Sequence, residues 1–322
     1  MLLTASTGCA REAAPVPDGG LEKASIKVGA LAVPDSAPLY LAKARGYFAD
    51  EGLTVAIEPT QSAAQAFPAL EGGTLDVALV NYVSTFQAVT RGATFRVVAD
   101  AYQAAPKTFV VMTLDDSKVK SMADLKGKTI GVASRRSIGS LTIAAALATH
   151  GLSESDVELL EFPLPDMVDK LRRGIIDAAW LTEPFITQAT TTLGARLVQD
   201  MTASDSPTAD FPVAGWGITA AYAAENPRTV AAFQRAITRA QRLAAGDRKA
   251  VTDILPTYTR IPPAVAGVIA LGTYPVTLEA GRLQRVADLM HSYEGYLDEG
   301  ATVDVNAILV PLPAGATSAE RQ

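Results

Sequence analysis

A chain of 322 residues exceeds what one ordinary domain needs, and 48% hydrophobic against 19% charged residues supplies a proper core, which excludes a disordered chain. Its 34 acids and 28 bases give a formal charge of −6 with no long basic run, so nucleic acid is excluded as an expected partner. One cysteine, Cys9, excludes an internal disulfide, and two distant histidines, His150 and His291, offer neither metal-ligand spacing nor a thiol–imidazole pair. The expectation is a non-enzyme without catalytic residues, metal or cofactor.

The first ten residues read Met1-Leu2-Leu3-Thr4-Ala5-Ser6-Thr7-Gly8-Cys9-Ala10, followed by a loose stretch rich in Ala, Pro and Gly. An apolar run ending in small residues before a cysteine resembles the tail of a bacterial lipoprotein signal, in which the peptide is cut before the cysteine and lipid is attached. Residues 1–21 therefore read as a signal remnant and linker, with a lipid anchor on Cys9 and an extracytoplasmic protein body at the membrane surface. No later segment reaches the ~18 apolar residues of a membrane helix.

From Ser25 short β-like runs alternate with helical stretches, which predicts an α/β fold with mainly parallel sheets. Strands are expected at Ser25–Leu31, Leu53–Pro59, Leu75–Val80 and Phe95–Ala99, with helices at Pro38–Arg45, Ala63–Glu71 and Tyr82–Arg91 between them. The cycle then restarts. Strands at Thr129–Ala133, Val157–Phe162, Ile175–Leu181 and Arg196–Gln199 alternate with helices near Ser140–His150, Asp166–Arg173 and Pro184–Leu193. His150 closes its helix before Gly151, where a cation suits the C-terminal dipole. Within the two cycles Gly73-Thr74-Leu75-Asp76-Val77-Ala78-Leu79 echoes Gly174-Ile175-Ile176-Asp177-Ala178-Ala179-Trp180, which reads as one equivalent unit per lobe.

A further strand is expected at Val213–Ala220, and from Ala221 to about Glu299 the pattern reads as almost wholly helical, with Asn226-Pro227 opening one long helix. Such a tail packs back on the first lobe. This gives a discontinuous lobe 1 (22–103 plus 214–312), an inserted lobe 2 (104–213) and a disordered tail (313–322). The crossing segments near Tyr102–Lys107 and Pro207–Val213 would act as a hinge.

Four stretches carry a resemblance. They are Ala37-Pro38-Leu39-Tyr40-Leu41-Ala42-Lys43-Ala44-Arg45-Gly46-Tyr47-Phe48 with Glu51-Gly52-Leu53-Thr54-Val55; Gly73-Thr74-Leu75-Asp76-Val77-Ala78; Asp124-Leu125-Lys126-Gly127-Lys128-Thr129-Ile130-Gly131-Val132; and Gly174-Ile175-Ile176-Asp177-Ala178 with Glu183-Pro184-Phe185. In this order they are similar to the SsuA/THI5-like (nitrate, sulfonate, taurine and pyrimidine-precursor) family of ABC solute-binding proteins. The resemblance implies a two-lobed periplasmic-binding fold of type II with a ligand cleft between the lobes. It also implies a non-catalytic importer receptor, monomeric, that hands a small molecule to an ABC permease and its ATPase. Fungal THI5-like proteins on this fold are pyrimidine-synthesis enzymes with a cysteine-rich motif and an essential histidine; this chain has no cysteine after Cys9. A sensory module on the same fold is the other alternative, without a DNA-binding helix-turn-helix in the sequence to support it.

In open α/β sheets ligands bind beyond the carboxyl ends of the strands, beside helix starts whose free N–H groups can hold anions or carbonyl oxygens. Those ends lead here into Val33-Pro34-Asp35-Ser36, Thr60-Gln61-Ser62, Asn81-Tyr82, Ser134-Arg135-Arg136-Ser137 and Thr182-Glu183. Ser36 belongs to the first of these loops. Tyr40 either stacks on a ligand ring or packs in lobe 1, and Gln61 and Ser62 either cap a helix or bind. Asn81 and Tyr82 read as ligand contacts, or as an N-cap and a packed aromatic. Ser134, Arg135 and Ser137 suit an anion, unless the arginines are simply solvated. Trp180 is a cleft wall or a core residue, and Glu183 faces a cationic or N–H-bearing solute or caps its own helix. Trp216 and Tyr102, near the hinge, are placed as cleft-lining. Solutes rank as small anions such as aliphatic sulfonates first, thiamine-precursor pyrimidines second and flavin-like rings third.

Overall fold

The computed structural model describes residues 20–313, so Cys9 with its expected lipid anchor, and the tail from 314 onward, lie outside the described residues. Ten strands are described: β1 Ser25–Ala30, β2 Thr54–Pro59, β3 Val77–Asn81, β4 Phe95–Gln103, β5 Val110–Thr113, β6 Thr129–Val132, β7 Glu158–Glu161, β8 Ala178–Leu181, β9 Arg196–Asp200 and β10 Pro212–Thr219. They form two five-stranded sheets, ordered β2-β1-β3-β10-β4 and β7-β6-β8-β5-β9. In each, the strand in fourth place runs against the others: β10 is antiparallel to β3 and β4, and β5 to β8 and β9. The expected mainly parallel sheets are thus mixed sheets carrying one reversed strand each. Helices flank both.

The sequence echo is a structural equivalence. Gly73 and Gly174 stop the helices Ala63–Glu71 and Leu164–Arg172 at φ 67° and 65°, a left-handed conformation that costs a glycine little. Three residues on, Asp76 accepts the backbone N–H of Lys27 (2.9 Å) and Asp177 that of Thr129 (2.9 Å). Each carboxylate thereby pins the neighbouring inner strand, β1 or β6, and fixes where β3 or β8 begins to pair.

The helix Pro227–Gly246 buries Val230, Phe233, Ile237, Ala240 and Ala244, the three- and four-residue spacing of an amphipathic helix. Phe233 lies 6.0 Å from Trp216 and 5.7 Å from Phe48, ring centroid to centroid. Each such fully buried side chain contributes about 1.5–3 kcal/mol. Glu22 accepts the N–H groups of Arg228 (3.2 Å) and Thr229 (2.9 Å) at the start of this helix, tying down the chain ahead of β1. Gln234 and Gln241 donate 2.8 Å hydrogen bonds to the carbonyls of Val98 and Asp100, so the outer strand β4 does not leave these acceptors unsatisfied.

The expected run of helix from Ala221 to Glu299 is broken. Between the helices Arg248–Ile254 and Ala280–Ser292 only the short turns Leu255–Thr257 and Pro263–Ala266 are helical. Pro262, Pro263, Gly267, Gly272 and Pro275 interrupt the pattern. This segment returns over the first sheet: Thr273 exchanges backbone hydrogen bonds with Gln103, and Tyr274 packs edge-on to Tyr102.

Two segments cross between the sheets side by side. Ala104 N–H bonds to the Phe211 carbonyl (2.8 Å), and Thr202 Oγ1 donates to the Ala105 carbonyl (2.8 Å). Lys107 (φ 69°) and Asp210 (φ 50°) both adopt left-handed backbone there, uncommon for residues with a side chain. At another boundary, Gln87 of the helix Tyr82–Thr90 donates to the carbonyls of Arg136 (2.8 Å) and Tyr296 (3.1 Å). Tyr296 Oη donates in turn to Glu154 (2.6 Å).

Candidate functional site

The carboxyl ends of β1, β2 and β3 face those of β6, β7 and β8 across an inner cavity of about 130 Å3, which opens beside an outer basin of about 630 Å3. The two share Leu31, Val33, Gln61 and Leu164 in their walls. From the first sheet's side the inner cavity takes Leu31, Val33 and Asp35, then Gln61 and Ser62, then Leu79, Asn81 and Ser84. From the second it takes Ala133, Ser134, Ser137, Ile138, Leu164, Trp180 and Thr182. Phe109, Val213 and Ala214, at the crossing segments, close the back. Among the described residues lining it there is no lysine, arginine or histidine.

Three helix starts border this space. Ser62 Oγ accepts Gln65 N–H (3.3 Å), and Asn81 Oδ1 accepts Ser84 N–H (2.8 Å). Ser137 N–H donates to Ser140 Oγ (2.9 Å), while the Ser137 hydroxyl donates to the Ser134 carbonyl (2.7 Å). Capping and cavity lining therefore coincide at Ser62, Asn81 and Ser137, and the remaining first-turn N–H groups give the walls a partly positive character. The Trp180 indole donates to Thr142 Oγ1 (3.0 Å), and its ring lies flat on Gly139, where an added Cβ would come within 3.1 Å. Trp180 is thus both core and wall, with Phe109 at 4.9 Å beside it.

Asp35 is the one acid among the described residues of the inner wall and is only 8% exposed. Its short 3-10 turn, Pro34–Ser36, is held by Ser36 Oγ donating to the Leu31 carbonyl (2.7 Å), Tyr258 Oη to Val33 (3.1 Å) and Tyr274 Oη to Pro34 (3.0 Å). Burial pushes the Asp35 carboxyl up to about 7, opposed only by its own backbone N–H.

The remaining candidates lie elsewhere. Ser36 is fully buried and spent on the Leu31 carbonyl. Tyr40 stacks on Tyr258 at 3.8 Å and 6° and is not among the residues that line the cavity or the basin. Tyr82 is buried in the core beneath β10, its hydroxyl against Gly215. Tyr102 accepts the Gly272 N–H and packs on the returning segment, and Trp216 is enclosed against Phe233. Neither lines the cavity, because β4 and β10 direct these rings into the first sheet's packing. Arg135 turns away: its guanidinium donates to the Leu159 carbonyl (2.6 Å) and its backbone N–H to Glu161. Glu183 accepts Thr187 N–H (3.1 Å) and Oγ1 (3.0 Å), the capping alternative, and burial holds its carboxyl above the usual range. Sequence reasoning named the loop Val33-Pro34-Asp35-Ser36 but did not single out Asp35. It also missed Phe109 and Leu164, which carry no local signal.

Among the described residues no helix is long and apolar enough to cross a membrane, and no cluster of three potential metal ligands occurs. The chain is 28% identical over 147 residues to the 4-amino-5-hydroxymethyl-2-methylpyrimidine phosphate synthase of Aspergillus parasiticus (46% of this chain, 42% of that one). It is 29% identical over 153 residues to the riboflavin-binding protein RibY of Chloroflexus aurantiacus (46% and 43%). Each match spans less than half of the relative's length. The solved alkanesulfonate-binding protein SsuA of Xanthomonas axonopodis pv. citri, bound to MOPS, superposes with a TM-score of 0.75 at 20% identity over 91% of this chain and 100% of its own. The periplasmic nitrate-binding protein NrtA of Synechocystis PCC 6803 gives 0.76 at 16% identity over 90% and 87%. These two likenesses establish the periplasmic-binding fold. The NMT1/THI5-like family model matches residues 33–250, and the chain belongs to that family.

Proposed function

We propose that this protein is the extracytoplasmic solute-binding component of an ABC importer, capturing a small molecule between two lobes and delivering it to the permease and its ATPase. The lobes would be about 22–103 plus 214–312 and 104–213, moving on the crossing segments, with the protein monomeric and held at the membrane by lipid on Cys9. One observation carries the reading: a mostly apolar cavity is walled by strand ends from both sheets and bordered by three helix N-termini. Such walls exclude water and offer N–H groups to the acceptor edge of a solute. The helix starts taken alone would suit a sulfonate- or nitrate-like anion, while the apolar walls suit a thiamine-precursor-type pyrimidine or larger ring better. Glycine-lined contact of Trp180 with its helix gives the cavity a rigid side.

The second reading, a pyrimidine-synthesis enzyme, rests on the Aspergillus relative. Neither histidine lines the inner cavity or the basin, and His150 Nδ1 lies 3.0 Å from the Ala146 carbonyl at its helix end. Native mass spectrometry of the protein purified from its own host identifies any retained molecule. A receptor returns that molecule chemically unchanged on denaturation, and its saturating addition shrinks the radius of gyration in small-angle scattering. A constant radius with demonstrated tight binding contradicts the two-lobe capture.

A further inference from the structure

The inner cavity holds one buried carboxyl and no basic side chain among the described residues. No other described residue donates a side-chain hydrogen bond or forms an ion pair with Asp35, whereas the other buried acids Asp76, Asp100 and Glu183 each have named partners. The Arg248 guanidinium is turned to the carbonyls of Ile269 (2.6 Å) and Gly267 (3.4 Å), and Arg260 lines the outer basin but not the inner cavity. Asp35 is not a folding necessity either, since Ser36, Tyr258 and Tyr274 fix its loop through main-chain carbonyls alone. A buried carboxyl without a partner is costly, and a group kept against that cost is matched by something that enters the site.

We infer that Asp35 is the specificity-determining residue of the cleft, selecting solutes whose inner end carries a cationic or N–H-rich nitrogen group of the amidine or amine type and excluding sulfonate- and nitrate-like anions. The inference rests on the solute-binding reading. An amidinium would place two N–H donors on the carboxylate oxygens, and its charge would be neutralised where water is scarce. An anion in the same space would meet the carboxylate at close range without an intervening cation. The flat apolar walls, Trp180, Phe109, Leu164 and Ile138, suit a ring attached to that group.

Benzamidine and benzenesulfonate share a ring and differ in the sign of their charge, so they make a matched pair of probes, with nitrate as a third. Titration calorimetry on the full chain at pH 8, above the value of about 7 to which burial raises the Asp35 carboxyl, is expected to show binding of benzamidine and none of benzenesulfonate or nitrate. The Asp35→Asn variant should bind benzamidine about tenfold or more weakly. Asp35→Ser, with unchanged far-ultraviolet circular dichroism, should behave alike and guards against a folding artefact in either variant. Tighter binding of benzenesulfonate or nitrate than of benzamidine, or equal benzamidine affinity in the variants, overturns the inference while leaving solute capture intact. Binding of no probe overturns it too, and the solute-binding reading then stands or falls on the molecule retained from the host.

Discussion

Burial holds the Asp35 carboxyl at about 7, well above its ordinary 3.8. Three tyrosines face it, Tyr102, Tyr258 and Tyr274; Arg248 acts on two of these, and Tyr40 and Glu183 stand beside others. Because the folded protein holds this proton more tightly than the unfolded chain, the associated stability is complete below the ordinary carboxylate range. It is lost as pH rises through about 7. The loss amounts to about 2–4 kcal/mol once the group is ionised. Asp35→Asn removes it, so the variant should melt several degrees higher than the parent at pH 8, with the gap closing toward pH 4. A variant that melts lower at pH 8 would refute this. Side chains of this kind explain what the sequence reveals of a site and what it hides. Ser62, Asn81 and Ser137 were legible because a cap is a local pattern of residue type and position. Asp35 was not, since its burial depends on Tyr258 and Tyr274, more than two hundred residues downstream. Tyr82, Tyr102 and Trp216 are buried outside the cavity wall, which the sequence could not show: an aromatic near a loop looks the same whether its strand turns it to the cleft or to the core.

Among the secondary-structure elements, the helix Ala280–Ser292 is fastened to β4 by a buried ion pair. Arg282 donates to Asp100, whose side chain is inaccessible, and also to Gln103 Oε1 (2.8 Å) and the Thr277 carbonyl (3.1 Å). Burial pushes the Asp100 carboxyl up to about 6, while Arg282 draws it down. Arg282→Ala leaves a buried carboxylate without its cation and should cost about 3–5 kcal/mol at pH 8. At pH 5 the carboxyl takes up a proton and the cost should fall; denaturant melts at the two pH values measure the difference, and an equal loss at both would rule the account out. Elements with repeated internal logic were readable from the chain, as the paired Asp76 and Asp177 units show. β5 escaped because Val110-Val111-Met112-Thr113 is short, buried on both faces and free of alternation, so it carries no period to detect. The segment between Ile254 and Ala280 was misread as helix because its apolar residues are frequent enough to imitate one; prolines and glycines at irregular spacing decide otherwise.

Across the molecule, the contacts of Gln87 and Tyr296 with Arg136 and Glu154 join residues on either side of the cleft, away from the crossing segments. If the protein captures its solute by closing two lobes, as proposed, these contacts would serve as a latch that favours the closed arrangement. The double variant Gln87→Ala, Tyr296→Phe should enlarge the radius of gyration of the free protein and weaken solute binding about three- to tenfold, since less of it is then competent to bind. No change in either quantity would show that the latch is incidental. The overall α/β plan was legible because alternation and internal echo are long-range regularities. The reversed fourth strands were not, because direction in a sheet depends on where a connection crosses.

That reversed strand in the first sheet has a consequence for the newborn chain. β10 lies between β3 and β4, yet it is made more than a hundred residues after them. While the ribosome is still adding the second sheet, β3 and β4 each wait with an open row of backbone donors and acceptors. A polypeptide released before residue 212 therefore exposes two strand edges, one on β3 and one on β4, that the finished protein keeps covered, and premature termination there yields a sticky fragment rather than a smaller working protein.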